Sequence, residues 1–174
     1  NIAIPHGAKM VLMPQRPDIP LGTLRRAATY PLSPSEAPDA AVRELMATAG
    51  LGYLLDHLDE EAPWNRTLSG GECQRLAFVR LLLHQPDIIV MDEATSALDP
   101  ASQEHLMTLV AERLPNAALV SIAHRPELEA FHHRKLVFER RPGGARLIGD
   151  TVLLPSETSF LPRILTWLRS FPAT

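Results

Sequence analysis

Two stretches decide the fold: residues 68–75 read LSGGECQR, and residues 87–99 read DIIVMDEATSALD. The first is a serine and glycine turn that opens a helix, and the second is an apolar strand that ends in two adjacent carboxylates. Strand and helix alternate from residue 72 to residue 123, which predicts an α/β fold with a mostly parallel sheet and helices packed on it. Because such sheets bind ligands at the carboxyl ends of their strands, the second stretch also predicts where the site lies.

The composition is that of an ordinary globular protein. The 174 residues make up one domain's worth of chain, of which 45% are hydrophobic and 21% charged. The net charge of -3 leaves no basic footprint, so we expect no nucleic-acid partner. No apolar run reaches the roughly 18 to 20 residues that span a bilayer. The single cysteine, Cys73, excludes an internal disulfide, and no base stands beside it to activate the thiol.

Hydrophobic periodicity and turn residues predict the elements along the chain. Residues 16–38 are rich in proline, and we expect mostly loop and turn there. The predicted strands are 9–14, 87–91 and 117–123, followed by a hairpin of 136–139 and 145–148. The predicted helices are 40–49, 51–57, 72–84, 100–114 and a closing helix at 158–171. These elements group into a helical subdomain at about residues 17–83 and a core sheet from residues 8–15 and 86–150.

The serine turn, residues 68–72, has the composition of a phosphate site. Ser69 and Glu72 fit the capping-box pattern, in which a serine caps a helix and a glutamate three residues on reaches back. Gly70 and Gly71 let backbone N–H groups approach a ligand closely, and the N-terminus of a helix attracts phosphate. The plainer interpretation is a well-capped helix alone. The full LSGGECQR string before a carboxylate-tipped strand favours the phosphate site.

Asp92 and Glu93 follow the apolar run of residues 88–91, which is typical of a strand buried on both faces. Two acids at the rim of such a strand need partners, and Mg²⁺ bound through water and phosphate oxygens would supply them. We expect Asp92 to hold Mg²⁺ and Glu93 to orient or deprotonate an attacking water, because side chains alternate along a strand. The alternative is a solvated turn with two acids.

Two further residues follow predicted strands. Gln15 comes after the strand 9–14, where a glutamine can reach both Mg²⁺ and the attacking water. His124 directly follows the strand 117–123, where a histidine can hydrogen-bond a γ-phosphate oxygen and the water-orienting carboxylate. Taken alone, Gln15 would be read as a polar loop residue. Its place in the order of these motifs is what gives it weight.

In their order and their sequences these motifs resemble those of the ATP-binding cassette family, and specifically those of the nucleotide-binding domain of a membrane transporter. The strings PQRPDIPLGTLRRAATYP and SIAHRPELEAFH resemble a narrower branch, the peroxisomal fatty-acid half-transporters and their bacterial relatives for vitamin B12 or peptides. The resemblance implies a P-loop NTPase-like core with a helical subdomain, and ATP and Mg²⁺ as ligands. It implies Gln15, Glu93 and His124 as catalytic residues, and Asp92 with Gln15 at the metal.

The resemblance also implies partners. Two such domains form a head-to-tail dimer, in which Ser69, Gly70, Gly71 and Glu72 of one subunit face the nucleotide of the other. Asp99 and Ser96 would lie at the dimer interface. Read from the residues alone, Asp99 before Pro100 is also a good helix N-cap. In the branch named above, a membrane domain precedes this domain on the same chain, so we expect the domain at the cytoplasmic face of the cell membrane.

One part of the family pattern is missing from these residues. The family needs a phosphate-binding loop of the form GxxxxGK[ST], and the 174 residues contain none; their only lysines are Lys9 and Lys135. Because LSGGE, Glu93 and His124 are intact and the first residue is not methionine, we expect an N-terminal truncation rather than a degenerate enzyme. We therefore expect these residues alone to bind ATP poorly and to show no ATPase activity.

Two other functions stay open at this point. A soluble cassette ATPase of DNA repair or chromosome organisation shares these motifs, although such enzymes usually carry long coiled-coil insertions. The gap between Gln15 and Leu68 holds only a compact segment, and the charge is not basic. The other possibility is a non-catalytic interaction module that docks a partner through the loop after Gln15.

Overall fold

The computed structural model describes residues 4–153. The chain divides into two compact units, Asn1–Ala123 and His124–Thr174. The predicted closing helix at 158–171 lies outside the described residues. Within residues 4–153, none of the helices is both long enough and apolar enough to cross a membrane.

The first unit is built on three parallel strands. They are β1 (Met10–Met13), β2 (Ile88–Asp92) and β3 (Ala118–Ile122), in the order β1-β2-β3. Met13 pairs with Met91, and Asp92 pairs with Ile122. The parallel sheet predicted from the sequence is therefore confirmed, with each strand in its expected place to within two residues. The register brings the carboxyl ends of all three strands to one edge.

The two faces of this sheet differ in burial. Met13, Ile89 and Met91 are at most 3% exposed on one face. The other face leaves apolar side chains more than half exposed, namely Met10, Leu12, Val120 and Ile122. On β2 itself, Ile88 and Val90 point to that second face and are half-buried. The prediction that β2 is buried on both faces is therefore wrong for that second face, where its side chains stay half-buried.

Between β1 and β2 the chain forms a helical region. Its elements are α1 (Leu24–Thr29), α2 (Asp39–Met46), a π-helical turn (Ala47–Leu51), a 3-10 turn (Gly52–His57), α3 (Trp64–Thr67) and α4 (Gly70–His84). The prediction of mostly loop and turn in residues 16–38 is confirmed for most of that stretch, but it missed the short helix α1. The helix forms because Thr23 caps it, accepting a hydrogen bond from the Arg26 N–H, and it ends at Tyr30, directly before Pro31.

The predicted helix 40–49 also ends differently. Regular α-helix stops at Met46, and a π-helical turn continues to Leu51. Gly50 causes the break, because its φ of 76° lies in the left-handed region that only glycine adopts cheaply. The predicted helix 51–57 is a 3-10 turn in the structure.

Helix α4 is the central element of the helical region and contacts α1, α2 and α5 (Pro100–Arg113). Its buried side chains include Phe78 and Leu81. Arg80 also points inward, where its Nε and Nη1 donate to the carbonyls of Ala27 and Asp18 at 2.6 and 2.7 Å. Burial lowers the pKa of this guanidinium. These bonds fix the segment after Gln15 to α4.

The second unit contains a 3-10 turn at Pro126–Phe131 and a two-stranded antiparallel sheet. Its strands are β4 (Arg134–Arg141) and β5 (Gly144–Val152), joined at the predicted Pro142 turn. The hairpin is confirmed and is longer than predicted, with an irregular register between Val137 and Phe138.

Candidate functional site

The carboxyl edge of the parallel sheet brings together two residues that are 78 positions apart in the sequence. The Gln15 side chain donates from Nε2 to Oε2 of Glu93 at 2.7 Å. Gln15 lies two residues beyond the end of β1, and Glu93 lies directly after β2. The sequence placed each of them at a strand end, and the parallel register explains why they meet. We call Gln15, Asp92 and Glu93 the carboxylate edge.

The backbone of Glu93 is held in an uncommon conformation. Its φ is 48°, in the left-handed region that non-glycine residues seldom adopt. Two hydrogen bonds fix it there: the Glu93 N–H donates to the carbonyl of Ile122 at 2.9 Å, and the Glu93 carbonyl accepts from the Ser96 N–H at 3.0 Å. Such strained residues persist where the surrounding structure determines them, and they concentrate at functional sites.

Asp92 ends β2 and is exposed to solvent. Asp92 precedes Glu93 directly in the chain. The Gln15 amide binds Glu93 through its nitrogen, so the amide oxygen is the Gln15 atom that could serve as a metal ligand. A carboxylate and an amide oxygen suit Mg²⁺, which typically takes one or two protein oxygens and completes its shell with phosphate and water. Within residues 4–153, no group of three His, Cys, Asp or Glu residues could hold a metal by itself. The donor set therefore fits a cation that arrives with a phosphate ligand.

The serine turn forms the predicted capping box. The Ser69 hydroxyl accepts from the Glu72 N–H at 3.3 Å, and the Glu72 carboxylate accepts from the Ser69 N–H at 2.7 Å. Glu72 also accepts hydrogen bonds from the hydroxyls of Ser69 and Tyr53, which hold the pKa of its carboxyl below the ordinary value. The same contact and partial burial raise the pKa of Tyr53 to about 12, with burial the larger cause. The capping prediction is confirmed, and the role toward a nucleotide stays a prediction.

The two glycines of the turn pack against the SALD loop, residues 96–99. A Cβ added at Gly71 would lie 3.1 Å from the carbonyl oxygen of Ala97, and one at Gly70 would lie 3.5 Å from the Ala97 Cβ. The first distance is tighter than ordinary side-chain contacts, whereas the second is a normal van der Waals contact. Packing within this chain therefore favours glycine at position 71, independently of any approach of the turn to a ligand.

Asp99 caps α5, as predicted. Its carboxylate accepts from the Ser102 N–H at 2.9 Å and from the Ser102 hydroxyl at 2.6 Å. The hydroxyl and then the N–H of Ser102 keep the pKa of Asp99 below its ordinary value. Arg75 of α4 reaches the same cap, donating to the Ser102 hydroxyl at 2.9 Å and lying 3.5 Å from the Asp99 carboxylate. Asp99 and Ser96 are both exposed, and their role at a dimer interface stays a prediction.

Gln74 joins this site, although no role for it was predicted from the sequence. This residue is 2% exposed. Its side chain hydrogen-bonds both Gln15, the first residue of the carboxylate edge, and Ala97 of the SALD loop. A signal was available in the sequence: Gln74 is spaced four and seven residues from Phe78 and Leu81, so it is a polar residue on the apolar face of an amphipathic helix. A buried glutamine of that kind must find hydrogen-bond partners.

Two other residues singled out in the sequence are His124 and Cys73. His124 is the first residue of the second unit, two positions after the end of β3; its catalytic role stays a prediction. Cys73 is half-buried on α4, and burial raises the pKa of its thiol. A raised pKa keeps the thiol protonated at neutral pH, in line with the inert role expected of it.

A parallel sheet with strained Glu93 and the Gln15 amide at its carboxyl edge, beside a capped serine turn, is the architecture of an α/β nucleotide-binding domain. Comparison with known proteins gives the family. The family model described as ABC transporter matches residues 5–96, more than half of the chain. The chain therefore belongs to the ABC transporter family, as the motifs indicated.

Named relatives and a solved structure support the assignment. An uncharacterized ABC transporter ATP-binding protein of Haemophilus influenzae is 41% identical over 127 residues, covering 72% of this chain and 21% of the relative. The lysosomal cobalamin transporter ABCD4 of Homo sapiens is 37% identical over 150 residues, covering 80% of this chain and 24% of the relative. The structure of a bacterial Atm1-family ABC exporter with ATP bound superimposes with a TM-score of 0.64 at 28% identity, covering 74% of this chain and 23% of the exporter. The chain thus spans about a fifth to a quarter of these proteins' length.

Proposed function

We propose that this chain is part of an ATP-hydrolysing domain that drives transport across a membrane. The observation that carries the proposal is the 2.7 Å hydrogen bond between the Gln15 amide and the Glu93 carboxylate. It sets two groups suited to orienting a water molecule side by side at the carboxyl edge of the sheet. Family membership supports ATP as the substrate whose terminal phosphate that water attacks.

In this proposal each residue of the carboxylate edge has a defined role, and Gln15 has two. Glu93 orients the attacking water or accepts its proton, and Gln15 holds the Glu93 carboxylate in place. Asp92 and the Gln15 amide oxygen hold Mg²⁺, which neutralises phosphate charge when bound. His124 donates a hydrogen bond to a γ-phosphate oxygen. The left-handed backbone of Glu93 supports this assignment, because it fixes where the carboxylate points.

The serine turn acts on a second nucleotide. We propose a head-to-tail dimer in which Ser69, Gly70, Gly71 and Glu72 face the ATP held by the partner, with Ser96 and Asp99 at the interface. The capping box supports this: it fixes the first turn of a 15-residue helix whose positive dipole end favours phosphate. We further propose a membrane domain on the same polypeptide and a position at the cytoplasmic face of the membrane.

The boundaries of the parts follow the same proposal. In this proposal a helical subdomain comprises about residues 17–83, and the core sheet elements comprise residues 8–15 and 86–150. The 174 residues contain no GxxxxGK[ST] loop, so we propose that they bind Mg-ATP weakly and hydrolyse none when studied alone. Calorimetry that found micromolar Mg-ATP binding by these residues alone would contradict this part of the proposal.

The test of the function is the substitution Glu93→Gln in the intact protein, with Glu104→Gln as its matched control. Glu104 is exposed on α5, and the substitution there removes the same charge outside the carboxylate edge. We expect Glu93→Gln to abolish steady-state ATP turnover while ATP binding persists and the dimer becomes more stable. Glu104→Gln should behave as the wild type does. If Glu93→Gln turned over ATP at the wild-type rate, the chain would be a binding module rather than the hydrolytic domain proposed.

A further inference from the structure

The amide of Gln74 uses all of its hydrogen-bonding groups inside one small region. Its Nε2 donates to the carbonyl of Gln15 at 3.0 Å and to the hydroxyl of Ser96 at 3.2 Å. Its Oε1 accepts from the Ala97 N–H at 2.9 Å. The partners fix the orientation of the amide, because the Gln15 carbonyl can only accept and the Ala97 N–H can only donate. Three separate segments of the chain therefore meet at one side chain.

The SALD loop, one of the two segments that Gln74 contacts, also packs directly against α4. Gln74 follows Gly70 and Gly71 by one helical turn, so all three lie on the same face of α4. Both glycines approach Ala97 closely, and Arg75 adds a bond to Ser102. Residues 70–74 of α4 are thus packed and hydrogen-bonded to the SALD loop. This packing fixes where the Gln74 amide points.

The backbone of Gln15, in contrast, is not held by the strand that it follows. Gln15 lies past the last residue of β1, so the strand ladder no longer defines its backbone. Its side chain is exposed, yet it must reach Glu93 at 2.7 Å. A hydrogen bond to the Gln15 carbonyl from a side chain that is 2% exposed holds the backbone from which that side chain extends. The bond is partly buried, so breaking it costs stability because the buried Gln74 amide loses one of its partners.

We infer that Gln74 is a positioning residue of the ATPase site: it holds the Gln15 backbone so that the Gln15 amide meets Glu93. The inference rests on the proposed function, since it concerns the same carboxylate edge. It adds a link between the two nucleotide sites of the dimer. Gln74 is on the helix whose serine turn faces the partner's nucleotide, and it acts on residues that face its own.

The test uses the intact protein and the substitution Gln74→Met, which keeps the length of the side chain and removes all three bonds. A misplaced catalytic group can cost up to about 10²-fold in rate, so we expect kcat for ATP to fall at least about tenfold. KM should change by less than about threefold, because the Gln74 side chain reaches Gln15 only through its backbone carbonyl and makes its other bonds to the SALD loop rather than to the serine turn. Gln103→Met is the matched control: Gln103 is a glutamine of α5 that is also 2% exposed.

A double-mutant cycle separates positioning from general stability. In a Gln15→Ala background there is no amide left to position, so Gln74→Met should lower kcat by less than about twofold further. If the two substitutions were instead multiplicative, or if Gln74→Met lowered only the melting temperature, as we expect of Gln103→Met, the inference would be wrong. Gln74→Glu is the second variant should Gln74→Met fail to fold. An ionised carboxylate cannot donate to the Gln15 carbonyl, so kcat should fall there as well, and an unchanged kcat would equally overturn the inference.

Measuring Glu93→Gln in the same series distinguishes a failure of the role proposed for Gln74 from a failure of the proposed function. If Glu93→Gln abolishes turnover while Gln74→Met leaves kcat unchanged, only the role of Gln74 is refuted. If Glu93→Gln itself retains turnover, the proposed function and the inference that rests on it both fail.

Discussion

Alanine substitutions at the two glycines of the serine turn should have opposite effects on stability, although the positions are adjacent. At Gly70 an added Cβ would meet the Ala97 Cβ at 3.5 Å, an ordinary contact. At Gly71 it would meet the Ala97 carbonyl oxygen at 3.1 Å, and the two would have to separate by a few tenths of an ångström. That oxygen belongs to a backbone segment held by the Gln74 amide through Ala97 N–H, so it cannot easily move away.

The magnitudes follow from helix propensity and overpacking. Replacing a helical glycine by alanine gains about 0.5 kcal/mol, which Gly70→Ala should realise in full. At Gly71 an overpacking cost of about 1 to 3 kcal/mol opposes the same gain, for a net loss near 1 kcal/mol. Each kcal/mol shifts the melting temperature of a domain of this size by about 2 to 4 °C. We therefore expect Gly71→Ala to melt at least about 3 °C below Gly70→Ala.

The assay compares thermal unfolding with ATP turnover for both variants of the intact protein. If the turn also faces a nucleotide, Gly70→Ala should lower turnover even though its stability is unchanged or improved. That separates the ligand role of the turn from its packing role. A Gly71→Ala variant as stable as Gly70→Ala would refute the packing argument. A fully active Gly70→Ala variant would refute the close approach of the turn to a ligand.

The remaining predictions concern the cap, its titration and the metal. Ser69→Ala should destabilise the domain by about 1 kcal/mol, as loss of an N-cap does, measured by chemical unfolding. Because the pKa of Glu72 is lowered from 4.5 in the folded state, its contribution is present above about pH 4.5 and is lost as the pH falls further. The stability difference between wild type and Glu72→Gln should therefore shrink below about pH 4.5, and a constant difference would contradict this linkage. Asp92→Asn should raise the Mg²⁺ concentration needed for half-maximal turnover of the intact protein, while an unchanged requirement would remove Asp92 from the metal site.

The sequence predicted the elements with strong local signals. β2, α4 and α5 have continuous or periodic apolar residues, and α4 and α5 also have clear caps at Ser69 and Asp99. Helix α1 was missed because its six residues lie between prolines, where a short helix looks like a turn. Its signal was Thr23 followed by good helix formers. The left-handed Gln85 that ends α4 could not have been predicted, because tertiary contacts rather than propensity decide such a conformation.

The site was only half predictable for a related reason. Gln15 and Glu93 could be placed at strand ends one by one, but their contact depends on the register of β1 with β2, which is set by tertiary packing. The three bonds of Gln74 join segments up to 59 positions apart. No local pattern encodes such a meeting point. The sequence does place the polar residue Gln74 on the apolar face of α4. This indicates that Gln74 has hydrogen-bond partners but does not identify them.

The most direct test of the central claim is the rate of one turnover of ATP at saturating Mg-ATP, measured by rapid quench in the intact protein. A single turnover reports the chemical step without product release. We expect Glu93→Gln to bind ATP as the wild type does and to cleave it about 10² to 10⁴ times more slowly, the usual contribution of a positioned acid or base. If Glu93→Gln instead cleaved ATP within about threefold of the wild-type rate, the slowing would fall short of that range. Such a result would contradict the claim that the carboxylate edge carries out hydrolysis.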